Sequence, residues 1–137
     1  MRARCLFAAI TLLAIGDSPL TTTCAAMSGP DNPTISVEGT CPGTLHVRWE
    51  GARPDRWAAL MFSQNLGRFR LPGGFCEGTE TGLGTQGIRV AKFFVTGAEG
   101  QGELSGRVTL YACGGYLQMV EYGSPPCPLS NVVQIPQ

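Results

Sequence analysis

The chain has 137 residues, and its 10 basic and 10 acidic side chains cancel at neutral pH. That length holds one domain. The even charge balance excludes the electrostatic footprint with which a protein grips nucleic acid or an anionic lipid surface.

Residues 1–26 read as a cleavable signal peptide. Arg2 and Arg4 form a basic start, "CLFAAITLLAIG" an apolar stretch too short to span a bilayer, and "TTTCAA" a small-residue end suited to cleavage after Ala25 or Ala26. A lipid anchor at Cys24 is the lesser expectation, because Thr21 stands where a lipoprotein signal has a large aliphatic residue. The expected product is secreted or held in the cell envelope (periplasm or outer surface), with no transmembrane segment. Without the leader, 8 basic and 9 acidic side chains remain.

Residues 27–33 are rich in Pro, Gly and Asn and read as a linker, leaving residues 34–137 as the single domain. Within it, short alternating runs follow one another between glycines and prolines. "TISV" (34–37) predicts an edge strand. "TLHVRWE" (44–50) places Leu45, Val47 and Trp49 on one face and Thr44, His46, Arg48 and Glu50 on the other. "WAALMFS" (57–63) predicts the next strand and "GRFRLP" (67–72) a short one after it. "GIRVAKFFV" (87–95), "GELSGRVTLY" (102–111), "YLQMVEY" (116–122) and "NVVQI" (131–135) complete the set. In 102–111, Leu104, Val108 and Leu110 share a face. No window beyond the leader shows a helical apolar period. The pattern predicts an all-β fold, a small antiparallel β-sandwich of about seven or eight short strands.

Outside the leader stand Cys41, Cys76, Cys113 and Cys127, none in a C-x-x-C pair. In an exported chain this composition predicts two disulfides rather than a zinc site. If the strands run alternately up and down, Cys41 and Cys113 fall at one end and Cys76 and Cys127 at the other. That favours Cys41–Cys113 with Cys76–Cys127; the sequential pairing, Cys41–Cys76 with Cys113–Cys127, is the alternative.

"TGLGTQG" sets Gly82, Gly84 and Gly87 in the spacing G-x-G-x-x-G. In a dinucleotide site that turn opens a helix whose amides meet the phosphates. Here "IRVAKFFV" follows, β-branched and aromatic, so the segment reads as a loop between strands and no cofactor is expected.

His46 is the lone histidine, sharing a strand face with the cation Arg48 while Glu50 lies about 13 Å along an extended chain. It therefore reads as a solvent-facing side chain, and no catalytic residue is assigned. Glu77 and Glu80 flank a loop with no calcium-binding pattern around them, so no metal is expected.

The candidate binding face is formed by His46 and Arg48 with Trp57 and Met61, provided that Trp57, Ala59 and Met61 point outward. Exposed Trp and Met beside Arg is the composition of a protein-binding hot spot. The alternative is that residues 64–86 fold over this face and bury it. For a polysaccharide, a second exposed aromatic is needed, and Phe69 and Phe75 are the candidates.

The motifs "CPGTLHVRWEGARPDR", "GRFRLPGGFCEGTETGLG", "ACGGYLQMVE" and "CPLSNVVQI", in that order, cover most of residues 41–135. Their order and cysteine placement resemble a family of small exported β-domains from bacteria such as planctomycetes and myxobacteria. The resemblance implies a secreted sandwich module and brings no catalytic residue with it. The expectation is a non-enzymatic module that binds an extracellular protein or is structural, with carbohydrate binding, or inhibition through the 64–86 loop, as alternatives.

Overall fold

The computed structural model describes residues 32–137. The expected signal peptide, the cysteines Cys5 and Cys24, and most of the expected linker lie outside them. Seven strands form: β1 Thr34–Gly39, β2 Gly43–Glu50, β3 Trp57–Ser63, β4 Arg89–Val95, β5 Gly102–Val108, β6 Tyr116–Glu121 and β7 Val133–Gln134. They make two antiparallel sheets, one ordered β1-β2-β5 and the other β4-β3-β6-β7.

The alternating strands bury one face each. Leu45, Val47 and Trp49 of β2 meet Ala58, Leu60 and Phe62 of β3 and Leu117 and Met119 of β6 across the gap between the sheets. Ile35, Phe94 and Ile135 close the same core. The Trp49 ring lies 4.5 Å from that of Phe94, and its indole N–H donates to the Thr96 carbonyl at 3.0 Å, so its polar end is satisfied.

β3 departs from simple alternation. "WAALMFS" has no charged residue, and from Ala58 to Ser63 every side chain is buried. Ala59 and Met61 do face away from the main core, but they pack with Val120, Leu83, Cys76 and Cys127 in a second apolar cluster. The cover is the 64–86 segment, which doubles back on itself. Leu71 N–H donates to Thr79 O, Thr81 N–H to Phe69 O and Phe69 N–H to Leu83 O. The strand expected at 67–72 is therefore absent; isolated bridges, Leu66 with Leu83 and Arg70 with Glu80, hold the doubled segment instead.

The disulfides are Cys41–Cys113 and Cys76–Cys127, the pairing that strand parity favours. Sequence separations of 72 and 51 residues correspond in the chain-entropy model to about 4 kcal/mol each. Two disulfides fit folding in an oxidising compartment, and no helix of the described residues is long and apolar enough to cross a membrane.

One strand ends earlier than its sequence suggests. β5 stops at Val108, and Leu110–Ala112 form a 3-10 turn that leaves Leu110 74 % exposed rather than beside Leu104 and Val108. Turn bonds from Ala112 N–H to Thr109 O and from Cys113 N–H to Leu110 O replace the ladder there.

Candidate interaction surface

The turn at 51–56 carries the chain from one sheet to the other, so β2 and β3 are neighbours in sequence but not in a sheet. That divides the four residues expected on one face. His46 and Arg48 project from the outside of the three-stranded sheet, while Trp57 and Met61 belong to the outside of the four-stranded sheet. Met61 is 6 % exposed beneath the 64–86 segment and is unavailable to a partner; Trp57 is 60 % exposed.

On the three-stranded sheet the cross-strand pairs match charges. Arg48 Nε donates to Glu103 Oε2 at 2.7 Å, and Arg48 Nη1 lies 3.6 Å from Glu38 Oε2. His46 Nδ1 is 3.2 Å from Glu103 Oε1, so a carboxylate does meet this histidine, across strands rather than along its own. The Arg48 hydrogen bond holds the Glu103 carboxyl below its ordinary range, assisted by His46 and opposed by desolvation. Ser105 is the residue opposite His46 in the ladder, yet no hydrogen bond joins them. All of this lies on a flat, exposed sheet face, a solvated charge network worth little to stability.

The four-stranded sheet differs. Outward positions of β4 pair with those of β3, Val95 with Trp57 and Phe93 with Ala59, and both β4 side chains are exposed. Phe75 rises from the Gly74–Cys76 turn at the tip of the doubled segment and is 78 % exposed, held there by the disulfide at Cys76. Tyr122, just after β6, lies between: its ring centroid is 6.2 Å from that of Phe75 and 6.2 Å from that of Phe93, tilted by 36° and 57°. Arg56, Trp57, Phe75, Tyr122 and Gly123 line one shallow cleft of ≈ 440 Å³. Burial raises the Tyr122 phenol above its ordinary value, so it remains a neutral donor well past neutral pH.

The turn beside this cleft is anchored from below. Glu121, its side chain 2 % exposed, accepts from both Arg53 Nε and the Arg53 backbone N–H. Thr96 Oγ1 donates to Arg53 O and accepts from Arg56 N–H. These bonds position Arg56 and Trp57 at the rim.

Sequence reading named Trp57 and Phe75 but missed Phe93 and Tyr122. A signal for one was present: in "KFFV" adjacent phenylalanines on a strand must point to opposite faces, and Phe94 enters the core. Phe69, the other aromatic candidate, lies on the doubled segment beside a separate cleft with Leu71, Phe75 and Val90.

The glycine-rich run serves packing. A Cβ on Gly84 would overlap the Asn65 amide, Gly87 has φ +66°, and Gly82 N–H donates to Gln118 Oε1 at 2.9 Å. Glu80 lies between Arg70 at 3.3 Å and Arg68 at 3.8 Å, and no group of three metal-ligating side chains occurs among the described residues. No family model, no curated protein and no solved structure matches the chain.

Proposed function

We propose that this chain is an exported, non-enzymatic β-sandwich module that binds an extracellular or envelope protein through the Trp57 face. The observation that carries this reading is the aromatic cluster of the exposed Trp57, Phe75 and Phe93 around the half-buried Tyr122, rimmed by Arg56. Monomeric domains seldom leave contiguous large aromatics uncovered, and Trp, Tyr and Arg dominate binding hot spots. Protein is favoured over polysaccharide because the rings are tilted against one another and Val95 extends the patch with aliphatic surface. The non-enzymatic reading rests on the exposure of the His46–Glu103 pair and on the hollow beside it, which Ser36, Arg48 and Glu103 line but His46 does not, so the imidazole does not face a nucleophile there. Membership of the resembling family of exported bacterial β-domains is part of the same proposal, based on motif order.

The test is capture. The oxidised protein, immobilised, is exposed to extracellular and envelope fractions of the producing organism beside Trp57→Ala and Arg48→Ala variants. A protein retained by the parent and Arg48→Ala but lost by Trp57→Ala is expected. Retention by all three would place the site elsewhere, and loss of a bound polysaccharide instead would favour the carbohydrate reading.

A further inference from the structure

The two sheets are not closed along one side. β4 ends its sheet and β5 ends the other, and no ladder joins them. Between these edges the main core opens into a groove of ≈ 310 Å³, floored by Leu60, Phe62, Leu104, Val108, Leu117 and Ile135. Gly106 marks the hollow. It pairs with the inward-facing Leu45, yet it is exposed and a Cβ built on it meets nothing within 4 Å, so the inward side of β5 is open there.

The rim carries one sign of charge. Opposite the inward Leu60 and Phe62, β4 presents Lys92 and Arg89. Arg107 of β5 joins them, and no carboxylate among the described residues lines the groove. The Arg89 guanidinium lies 4.9 Å from the Phe62 ring centroid and 5.3 Å from that of Tyr111, so it is held over the apolar floor rather than directed away from it. A bulge between Leu60 and Met61 shifts the β4 register at this point, and such bulges re-aim edge residues.

An edge strand with unpaired amides, an apolar trough beneath it and cations on the rim describe the complement of an extended acidic peptide. We propose that this groove receives a short strand from a partner protein, in which apolar residues alternate with Asp or Glu. The strand pairs with the free edge of β5 over Leu104–Val108, a span of about 16 Å. One apolar side chain fills the hollow over Gly106, and the carboxylates, on the outward face, meet Arg107, while Lys92 and Arg89 on the facing edge add longer-range attraction. This surface is separate from the Trp57 cleft, so either stands without the other.

The probe is a display library of random short peptides selected on the full, oxidised chain, with the enriched sequences then measured on variants. Gly106→Leu blocks the trough, at a site where the backbone lies outside the left-handed region and space is free. Lys92→Glu with Arg107→Glu reverses the rim without entering the core, and so tests the groove even if Gly106→Leu fails to fold. The expected result is enrichment of alternating apolar and acidic peptides. Their affinity drops by roughly tenfold or more on either variant, weakens with salt and is unchanged by Trp57→Ala. No enrichment, enrichment of sequences without acidic residues, or equal binding to both variants would overturn the proposal. So would concentration-dependent dimerisation that Gly106→Leu abolishes, since the occupant would then be a second copy. Self-association provoked by Lys92→Ser with Arg107→Ser, with peptide affinity intact, would overturn it too, by making the rim cations guards against edge pairing.

Discussion

The outer faces of the two sheets solve the same problem in opposite ways. On the three-stranded sheet, Glu38, His46, Arg48 and Glu103 meet water directly, and each cross-strand contact pairs opposite charges or a charge with imidazole. On the four-stranded sheet the outer face is apolar, and the chain spends residues 64–86 to cover Ala59, Met61 and Val120. The cover stops short of Trp57, Phe93 and Val95. An apolar sheet face costs free energy until something lies on it, so the boundary of the cover is where the proposed partner would take over from the chain itself.

The comparison breaks most severely if the cover is released. Cys76→Ser with Cys127→Ser removes about 4 kcal/mol in the chain-entropy model, read by urea unfolding, and it frees the segment over Met61. Removing Cys41 and Cys113 in the same way costs about as much, but it tethers the main core and not the cover. Binding of an apolar dye to the folded population should therefore rise strongly in the first variant and little in the second. Equal dye binding would mean that the disulfide at Cys76 does not hold the cover.

A smaller effect sharpens the same point. Leu83, with no exposed surface, is the main apolar side chain by which the doubled segment enters the second cluster. Leu83→Ala should cost about 3 kcal/mol, without altering the chemical environment of Trp49 in the main core as seen by NMR. A cost below about 1 kcal/mol would show that the cover lies loosely on the sheet.

The smallest effect belongs to the polar face. Arg48 holds the Glu103 carboxyl below its ordinary range in the folded chain. Its contribution to stability is therefore fully present above the unfolded carboxyl value, and is lost as pH falls through the lower, folded value. Glu103→Gln should leave stability at neutral pH nearly unchanged and flatten the acid limb of the stability curve, measured by thermal unfolding from neutral to acidic pH. An unchanged acid limb would show that the ladder is not formed in solution.

Much of the fold was legible in advance because period-2 alternation and turn residues are local properties. Leu45, Val47 and Trp49 were placed inward by that pattern alone, and strand parity was enough to favour Cys41–Cys113 with Cys76–Cys127. Alternation, however, states only which face a side chain takes, not whether the face is covered. Met61 took the outward face as read and was buried all the same, by a segment whose course depends on long-range packing. His46 and Arg48 were separated from Trp57 because a six-residue turn changes sheets, a choice that no local signal marks. Tyr122 meets Phe75 and Phe93 only once β4, β6 and the disulfide-braced turn are assembled. The charge-free run of β3 was the available hint that both of its faces would be buried.

The most direct measurement of the central claim is hydroxyl-radical footprinting of the oxidised protein, alone and with the partner retained in capture. Protection of Trp57, Phe75, Phe93 and Tyr122, with His46 as reactive as in the free chain, is the expected result. Unchanged reactivity of Trp57 and Phe75 with protection of His46 would move the interface to the polar sheet and contradict the account.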